Sequence, residues 1–195
     1  MKAQIIGPHD HFRCPRIAVL GIFILISSGF GCSLFLGNIR PVEEKSTQYG
    51  ILDLTKMNPD WIKLDNIPPP TPERPASEIP DTTYQSKKTG SVISINSICK
   101  DFDAPSEANL KASTNALLLG ISGVSIQEQK PIPLWNSTAL QTTLKGKIDQ
   151  QERILRTVVV HKDKCTYDLM YIAEPKFFNL NEADFTRFVT SLNLK

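Results

Sequence analysis

The sequence predicts an α+β domain in which helices pack against an antiparallel β-sheet. Segments of alternating or β-branched residues follow one another closely from residue 82 to residue 173. Short turn sequences separate them, which is typical of antiparallel strands. Two segments with helical periodicity, one inside this series and one at the C-terminus, supply apolar faces that can cover the sheet.

The domain is predicted to begin at Asp81 with a hairpin. Residues 82–87 form a short strand, residues 88–90 form its turn, and residues 91–99 form a second strand that is rich in β-branched side chains. A helix follows, with Asp103 or Ser106 as its N-cap. Its apolar side carries four residues, Leu110, Leu117, Leu118 and Ile121. Gly120 and Gly123 are expected to end it.

Four further strands are predicted after this helix, and they cover residues 124–130, 139–148, 153–162 and 165–173. Pro131 and Pro133 are expected to interrupt the first of them, because proline removes a backbone donor. Asp163 and Lys164 form the turn before the last one.

The closing element is predicted to be a helix that starts at Asn181, with Asp184 completing a capping box. One face of this helix carries Phe185, Phe188, Val189 and Leu192 at the spacing i, i+3, i+4 and i+7. Residues 81–195 are long enough for one hydrophobic core and too short for two.

Residues 81–195 resemble the PsbP and Mog1-like superfamily. The resemblance is carried by residues 89–93 in the first hairpin, 165–168 at the start of the final strand and 185–189 in the closing helix. It implies an α/β/α sandwich and leaves the function open. The chain is also similar to lipoproteins of Gram-negative bacteria that carry such a domain, and this similarity implies a link to envelope lipid transport.

The N-terminus has the order of a bacterial secretory signal. Basic residues precede an apolar run that starts at Ile17, and Cys32 follows the run after the small residue Gly31. This arrangement resembles lipoprotein signal peptides, which implies cleavage before Cys32, lipidation of Cys32 and anchoring in the membrane. Ser33, a non-acidic residue, implies by the same resemblance an outer-membrane rather than an inner-membrane anchor.

An uncleaved membrane-spanning helix is the alternative for the N-terminus. No charged residue occurs from Ile17 to Ile39, and about 20 apolar residues suffice to cross a bilayer. Both alternatives export the rest of the chain, since the basic residues before the apolar run stay in the cytoplasm. The expected location is therefore the cell envelope, with the domain in the periplasm.

The predicted organisation has three parts. Residues 1–31 are the signal peptide or anchor, residues 32–80 are a tether with a proline-rich linker, and residues 81–195 are the domain. Six prolines occur in residues 66–80, which favours an extended spacer between anchor and domain.

The charge balance of the exported chain bears on whether it binds nucleic acid. Residues 1–32 hold three basic side chains and one acidic side chain, so the remaining chain has no formal net charge. A nucleic-acid partner is therefore not expected.

Cys99 and Cys165 are the two cysteines after Cys32, and in an oxidising compartment they are candidates for a disulfide. Two unlinked buried thiols are the alternative.

No catalytic constellation is recognisable in the exported chain, in which His161 is the single histidine. A metal site is not expected, because Cys99, Cys165 and His161 are too few ligands. Asp168 and Glu174 are interpreted as surface charges. Residues 136–138 match a glycosylation acceptor, which has no meaning in a bacterium without that pathway.

The sequence therefore predicts a non-enzymatic interaction or assembly module that needs no cofactor and binds an envelope protein. Trp135 is the candidate contact residue, because an aromatic side chain in a loop can anchor an interface. A carrier of a lipid or another small hydrophobic ligand is the alternative. A carrier requires a cavity of several hundred Å³, whereas a protein-binding module requires a closed core and an apolar surface patch.

Overall fold

The computed structural model describes residues 49–65, 79–99 and 106–194. All of them belong to one compact unit that spans residues 40–195. The strands are β1 (Tyr49–Gly50), β2 (Trp61–Lys63), β3 (Thr82–Ser86), β4 (Val92–Cys99), β5 (Ser122–Leu134), β6 (Ser137–Ile148), β7 (Gln151–Lys162), β8 (Cys165–Ala173) and β9 (Asn193–Leu194). The α-helices are α1 (Leu54–Met57), α2 (Glu107–Leu117) and α3 (Phe178–Ser191).

Seven of the described strands form one sheet in the order β2-β3-β4-β8-β7-β6-β5, and every neighbouring pair is antiparallel. The two short strands β1 and β9 pair separately. Helices lie on both faces of the large sheet, with α3 against β8 and α2 against β6 and β7. The predicted α+β fold class is confirmed.

The main core lies between one face of the sheet and α3. The predicted apolar face of the closing helix is confirmed, since Phe185, Phe188, Val189 and Leu192 are all buried in this core. The ring of Phe185 stacks on Tyr171 at 5.6 Å between centroids. A smaller cluster on the opposite face of the sheet is covered by α2.

Residues 49–65 are part of the folded domain, so the prediction that residues 32–80 form only tether and linker is wrong for them. Strand β2 pairs with β3, and Leu54 and Trp61 are buried in the main core. The indole Nε1 of Trp61 also donates a hydrogen bond of 2.9 Å to Asp184 on α3. These contacts join the segment to both the sheet and the closing helix.

The proline-rich segment connects two neighbouring strands of one sheet. Residues 66–78 lie outside the described ranges, but the residues on either side belong to β2 and β3 or extend their pairing. The backbone nitrogen of Leu64 donates to the carbonyl oxygen of Thr83 at 2.9 Å. The prediction of a spacer between anchor and domain is therefore wrong for this segment.

The first hairpin and the start of α2 agree with the predicted local signals. Gly90 has a φ of 68° in the turn between β3 and β4. Ser106 is the N-cap of α2, and its side chain accepts a hydrogen bond of 3.1 Å from the backbone nitrogen of Asn109. Asp103, the other candidate cap, lies outside the described residues.

Strand β5 is longer than predicted. It runs through Pro131 and Pro133, which were expected to interrupt it. Because β5 is an edge of the sheet, a proline whose missing N–H would face solvent costs no ladder hydrogen bond.

The closing helix starts earlier than predicted. It begins at Phe178, and the side chain of its N-cap residue makes no capping hydrogen bond. Asn181 and Asp184 do not form a capping box at this point. Asn181 accepts a hydrogen bond of 2.9 Å from Thr89 Oγ1, and Asp184 accepts from Trp61. Both polar side chains therefore join α3 to other elements.

The predicted disulfide is present. Cys99 lies opposite Cys165 where β4 ends and β8 begins, and their sulfur atoms are 2.05 Å apart. The bond joins the central strand β8 to its neighbour β4 at one end of the sheet.

The predicted signal peptide and Cys32 lie outside the described residues. Cleavage before Cys32 and its lipidation remain predictions. Within the described ranges, the helices are too short or too polar to cross a bilayer.

Candidate functional site

A cavity of about 450 Å³ lies between the N-terminal end of α2 and the sheet. Its walls come from α2, from the β5–β6 hairpin and from the end of β7. The register explains this meeting point, because Ala139 on β6 is paired with Val160 on β7. In the same antiparallel register, Thr138, the residue before Ala139, therefore lies beside His161, the residue after Val160. The volume is within the range of small-molecule sites. We call it the α2 cavity.

The inner lining of the α2 cavity is apolar. Leu110 of α2 and Leu140 of β6 are 5% and 2% exposed, and they pack on each other and on Val159. Ala139 also borders the cavity, but its side chain packs in the main core on the other face of the sheet. A ligand that reaches these side chains gains free energy by removing apolar surface from water.

The rim of the α2 cavity is polar. Asn136, Ser137 and Thr138 come from the turn and first residues of the β5–β6 hairpin, and Ser106 and Glu107 come from the start of α2. Asn136, Thr138 and Glu107 are exposed, so the rim is in contact with solvent. An apolar interior with a polar rim is suited to a molecule that has one apolar and one polar end.

His161 is the buried polar group of the lining. It is 6% exposed, and its Nε2 lies 3.2 Å from Ser113 Oγ on α2 in a hydrogen bond. Burial lowers the pKa of the His161 imidazole below its ordinary value, because desolvation disfavours the charged ring. A neutral imidazole at the cavity wall is therefore expected at neutral pH.

Glu107 brings a negative charge to the rim. Its Oε1 lies 2.7 Å from Lys111 Nζ one helical turn further along α2. The hydrogen bond from Lys111 lowers the pKa of the Glu107 carboxyl, so this group is ionised at neutral pH. Lys111 is not among the residues that line the cavity.

The turn that carries the hairpin part of the rim has an unusual backbone conformation. Trp135 has a φ of 61° in the two-residue turn between β5 and β6. A positive φ is rare for a bulky side chain and costs on the order of 1–3 kcal/mol. The half-buried indole packs against the main core, which holds the turn in this conformation. Trp135 thereby positions Asn136 at the rim.

Several other polar groups are buried on the α2 face of the sheet. Thr157 and Thr166 are buried, and among the described residues neither hydroxyl has a hydrogen-bond partner. Asp168 is 6% exposed and lies opposite Asn96 on β4. The interpretation of Asp168 as a surface charge is therefore wrong. Glu174 is more exposed and pairs with Lys176 at 3.1 Å.

The predicted site residues lie apart from one another. Trp135 supports the cavity wall from the main-core side, and the Cys99–Cys165 disulfide lies at the same end of the sheet as His161, which is paired with Thr166. Cys32 lies outside the described residues. The contact role of Trp135 stays a prediction.

The sequence did not predict that the cavity residues form a binding site. The sequence pattern of residues 136–138 indicates only a glycosylation acceptor, yet they supply three of the five polar rim residues. The sequence did contain one signal for the cavity. Adjacent antiparallel strands place the start of β6 beside the end of β7, where His161 lies. The contribution of α2 depends on how the helix packs, which local sequence does not encode.

Among the described residues, no group of three or more His, Cys, Asp or Glu side chains is arranged to hold a metal ion.

No protein family model and no curated protein sequence matches the chain. The fold is similar to that of LpqN of Mycobacterium tuberculosis, a protein involved in cell envelope biogenesis. The two share 12% identity with a TM-score of 0.51, over 75% of this chain and 83% of LpqN. This similarity shows a common fold.

Two further solved structures match with lower TM-scores. The cyanobacterial PsbP (CyanoP) of Synechocystis gives 0.48 at 10% identity, over 82% of this chain and 96% of the other. PA94, a Pseudomonas aeruginosa protein of unknown function, gives 0.47 at 14% identity, over 69% of this chain and 81% of the other.

Proposed function

We propose that the chain is a non-enzymatic binding module of the cell envelope that holds a small amphipathic ligand in the α2 cavity. The observation that carries this proposal is the cavity itself, with its apolar interior, polar rim and volume of about 450 Å³. A carrier requires such a cavity, and a module that binds only through its surface does not.

The position of the cavity supports a ligand that comes from the membrane. Tyr49, the first described residue, contacts Tyr167 near the start of β8 at 5.7 Å between ring centroids. The cavity lies at this same end of the sheet, because His161 on β7 is paired with Thr166 on β8. Only residues 33–48 separate Tyr49 from the proposed lipid anchor at Cys32. Fully extended, the chain from Cys32 to Tyr49 reaches at most about 60 Å.

The envelope location rests on the N-terminal signal and on Cys32. LpqN shares the fold and is involved in cell envelope biogenesis, which agrees with this location. We place the domain in the periplasm, anchored to the outer membrane through a lipid on Cys32.

The geometry around His161 supports binding rather than hydrolysis. Ser113 is hydrogen-bonded to the imidazole, but it is not among the residues that line the cavity. A ligand in the cavity would therefore meet the imidazole without meeting this hydroxyl. A nucleophile has to reach the reacting atom of the substrate before it can act.

Photolabelling tests the proposal on the anchored full chain. A decanoyl glycerol with a diazirine on its acyl chain is added to membranes that contain the protein and is then activated by light. Peptides that include Leu110 or Leu140 should be labelled. Thr138→Trp should abolish this labelling, because the indole occupies the cavity mouth, whereas Lys147→Trp on the same strand should not. Equal labelling of both variants would contradict the proposal.

A second candidate function is assembly with an envelope protein. Leu119 and Ile126 are 83% and 51% exposed, and both follow the C-terminal end of α2, away from the cavity. Exposed apolar side chains of this size can anchor an interface. In-cell crosslinking of the wild type should capture a partner. Leu119→Ser should abolish this capture, whereas the control Leu180→Ser, at another exposed leucine, should retain it. Trp135→Ala tests the predicted contact in the same assay once its folding has been measured.

A further inference from the structure

The hydrogen-bonding side chains on the hairpin side of the rim have no partner in the part of the domain that the structure describes. Among the described residues, the side chains of Asn136, Ser137 and Thr138 make no hydrogen bond to protein groups. Together they offer an amide and two hydroxyls, which can both donate and accept. Such a set recognises hydroxyl, ester or amide groups and carries no charge.

The helix side of the rim disfavours an anion. Glu107 is the one charged side chain among the described lining residues, and it is ionised at neutral pH. Lys111 already forms an ion pair with Glu107. Among the described residues that line the cavity there is no lysine or arginine that could bind an anionic ligand. The backbone nitrogen of Asn109 already donates a hydrogen bond to Ser106 Oγ. This nitrogen is one of the donors that a helix N-terminus could otherwise offer to an anion.

The inner lining suits a single hydrocarbon chain. The side chains of Leu110 and Leu140 are apolar and buried there, and the volume of about 450 Å³ is at the lower end of small-molecule sites. His161 adds one neutral polar group at the wall. The cavity therefore combines an apolar interior with an uncharged hydrogen-bonding rim beside a carboxylate.

We infer that the ligand of the α2 cavity is a single-chain lipid with a neutral, hydroxylated head group, and that Glu107 excludes the corresponding fatty-acid anion. This inference rests on the proposed function, since it specifies the ligand of the same site. The acyl chain lies against Leu110 and Leu140, and the head-group hydroxyls bind Asn136, Ser137 and Thr138. An ionised carboxylate at the rim would instead lie beside Glu107 without a cation to balance it.

Competition against the photoreactive decanoyl glycerol tests the head group. The full chain is placed in phosphatidylcholine vesicles at about pH 8, where a carboxylate is ionised. Unlabelled decanoyl glycerol and decanoate, which share one acyl chain, are compared as competitors. Decanoyl glycerol should compete at a concentration about tenfold lower, a difference equivalent to about 1.4 kcal/mol. Equal or stronger competition by decanoate would overturn the inference.

Two variants of the helix side make the test specific. Glu107→Gln removes the negative charge, so decanoate should become a better competitor while decanoyl glycerol changes little. Lys111→Gln leaves Glu107 without its cation, so decanoate should compete no better than with the wild type. An unchanged preference in Glu107→Gln would overturn the role of Glu107. Absence of labelling in the cavity peptides of the wild type would instead contradict the proposed function itself.

Discussion

At the scale of single residues, His161 is expected to make the domain sensitive to acid. Burial lowers the pKa of this imidazole in the folded state, whereas the unfolded chain has the ordinary value of about 6.5. As the pH falls through that value, the unfolded state takes up a proton that the folded state does not. The free energy of unfolding should therefore decrease below about pH 6.5 and should be unaffected by this group above it.

The measurement is urea denaturation at a series of pH values between about 5 and 8 for the wild type and His161→Gln. The glutamine keeps a polar group near Ser113 and cannot be protonated. Its stability should vary less with pH in this window, even if it is lower throughout. An identical pH dependence of the two proteins would show that another group is responsible.

Some residue roles could be predicted from the sequence because they depend on near neighbours in the chain. Ser106 as a helix cap requires only the helix that follows it. Asn181 and Asp184 had the same local pattern, yet they bind Thr89 and Trp61, which lie far away in sequence. Local pattern cannot reveal that a more distant partner competes for a polar side chain.

At the scale of elements, the segment with α1 and β2 should stabilise the domain. Leu54 is fully buried in the main core, so Leu54→Ala should lower the free energy of unfolding by about 2–5 kcal/mol. Ile62 is 38% exposed in the same segment, and Ile62→Ala should cost less than about 1 kcal/mol. Urea denaturation of both variants decides the matter. A flexible tether would predict no effect from either change.

The disulfide between β4 and β8 should make a comparable contribution. Cys99 and Cys165 are 66 residues apart, and closing a loop of this length stabilises by about 4 kcal/mol in the chain-entropy model. The double variant Cys99→Ser, Cys165→Ser should unfold at a lower urea concentration, and the reduced wild type should behave like it. A common transition midpoint for oxidised and reduced protein would contradict this expectation.

The elements that the sequence predicted well are those with local signals. The hairpins have turn residues at fixed positions, and α3 has an apolar face of regular spacing. Elements β1, α1 and β2 were missed because they have 2, 4 and 3 residues, too few to establish a period. Their conformation depends on partners elsewhere in the chain, such as β3 for β2 and β9 for β1.

At the scale of the whole molecule, the anchor should depend on Cys32. Metabolic labelling with palmitate should mark the wild type and should be lost in Cys32→Ala. Cys14→Ala, which changes the other N-terminal cysteine, should keep the label. Each buried methylene contributes about 0.8 kcal/mol to membrane binding, so the acyl chains on Cys32 should hold the mature domain at the membrane. Labelling that survives in Cys32→Ala would contradict lipidation at this residue.

The overall architecture followed from the succession of strands and helices, but the candidate site did not. The cavity is formed by the start of β6, the end of β7 and the helix α2, which packs on both strands. Its residues have ordinary roles in the sequence, as a cap, a turn and a strand end. Only their arrangement in space makes a cavity with an apolar interior.

Native mass spectrometry of the full chain, released gently from its own membranes, tests most directly that the α2 cavity holds an envelope ligand. The wild type should carry an additional mass of lipid size that is lost when the protein is unfolded. Lys147→Trp should carry the same mass, and Thr138→Trp should not. Wild-type protein without a bound molecule, or an equal additional mass in Thr138→Trp, would contradict the account.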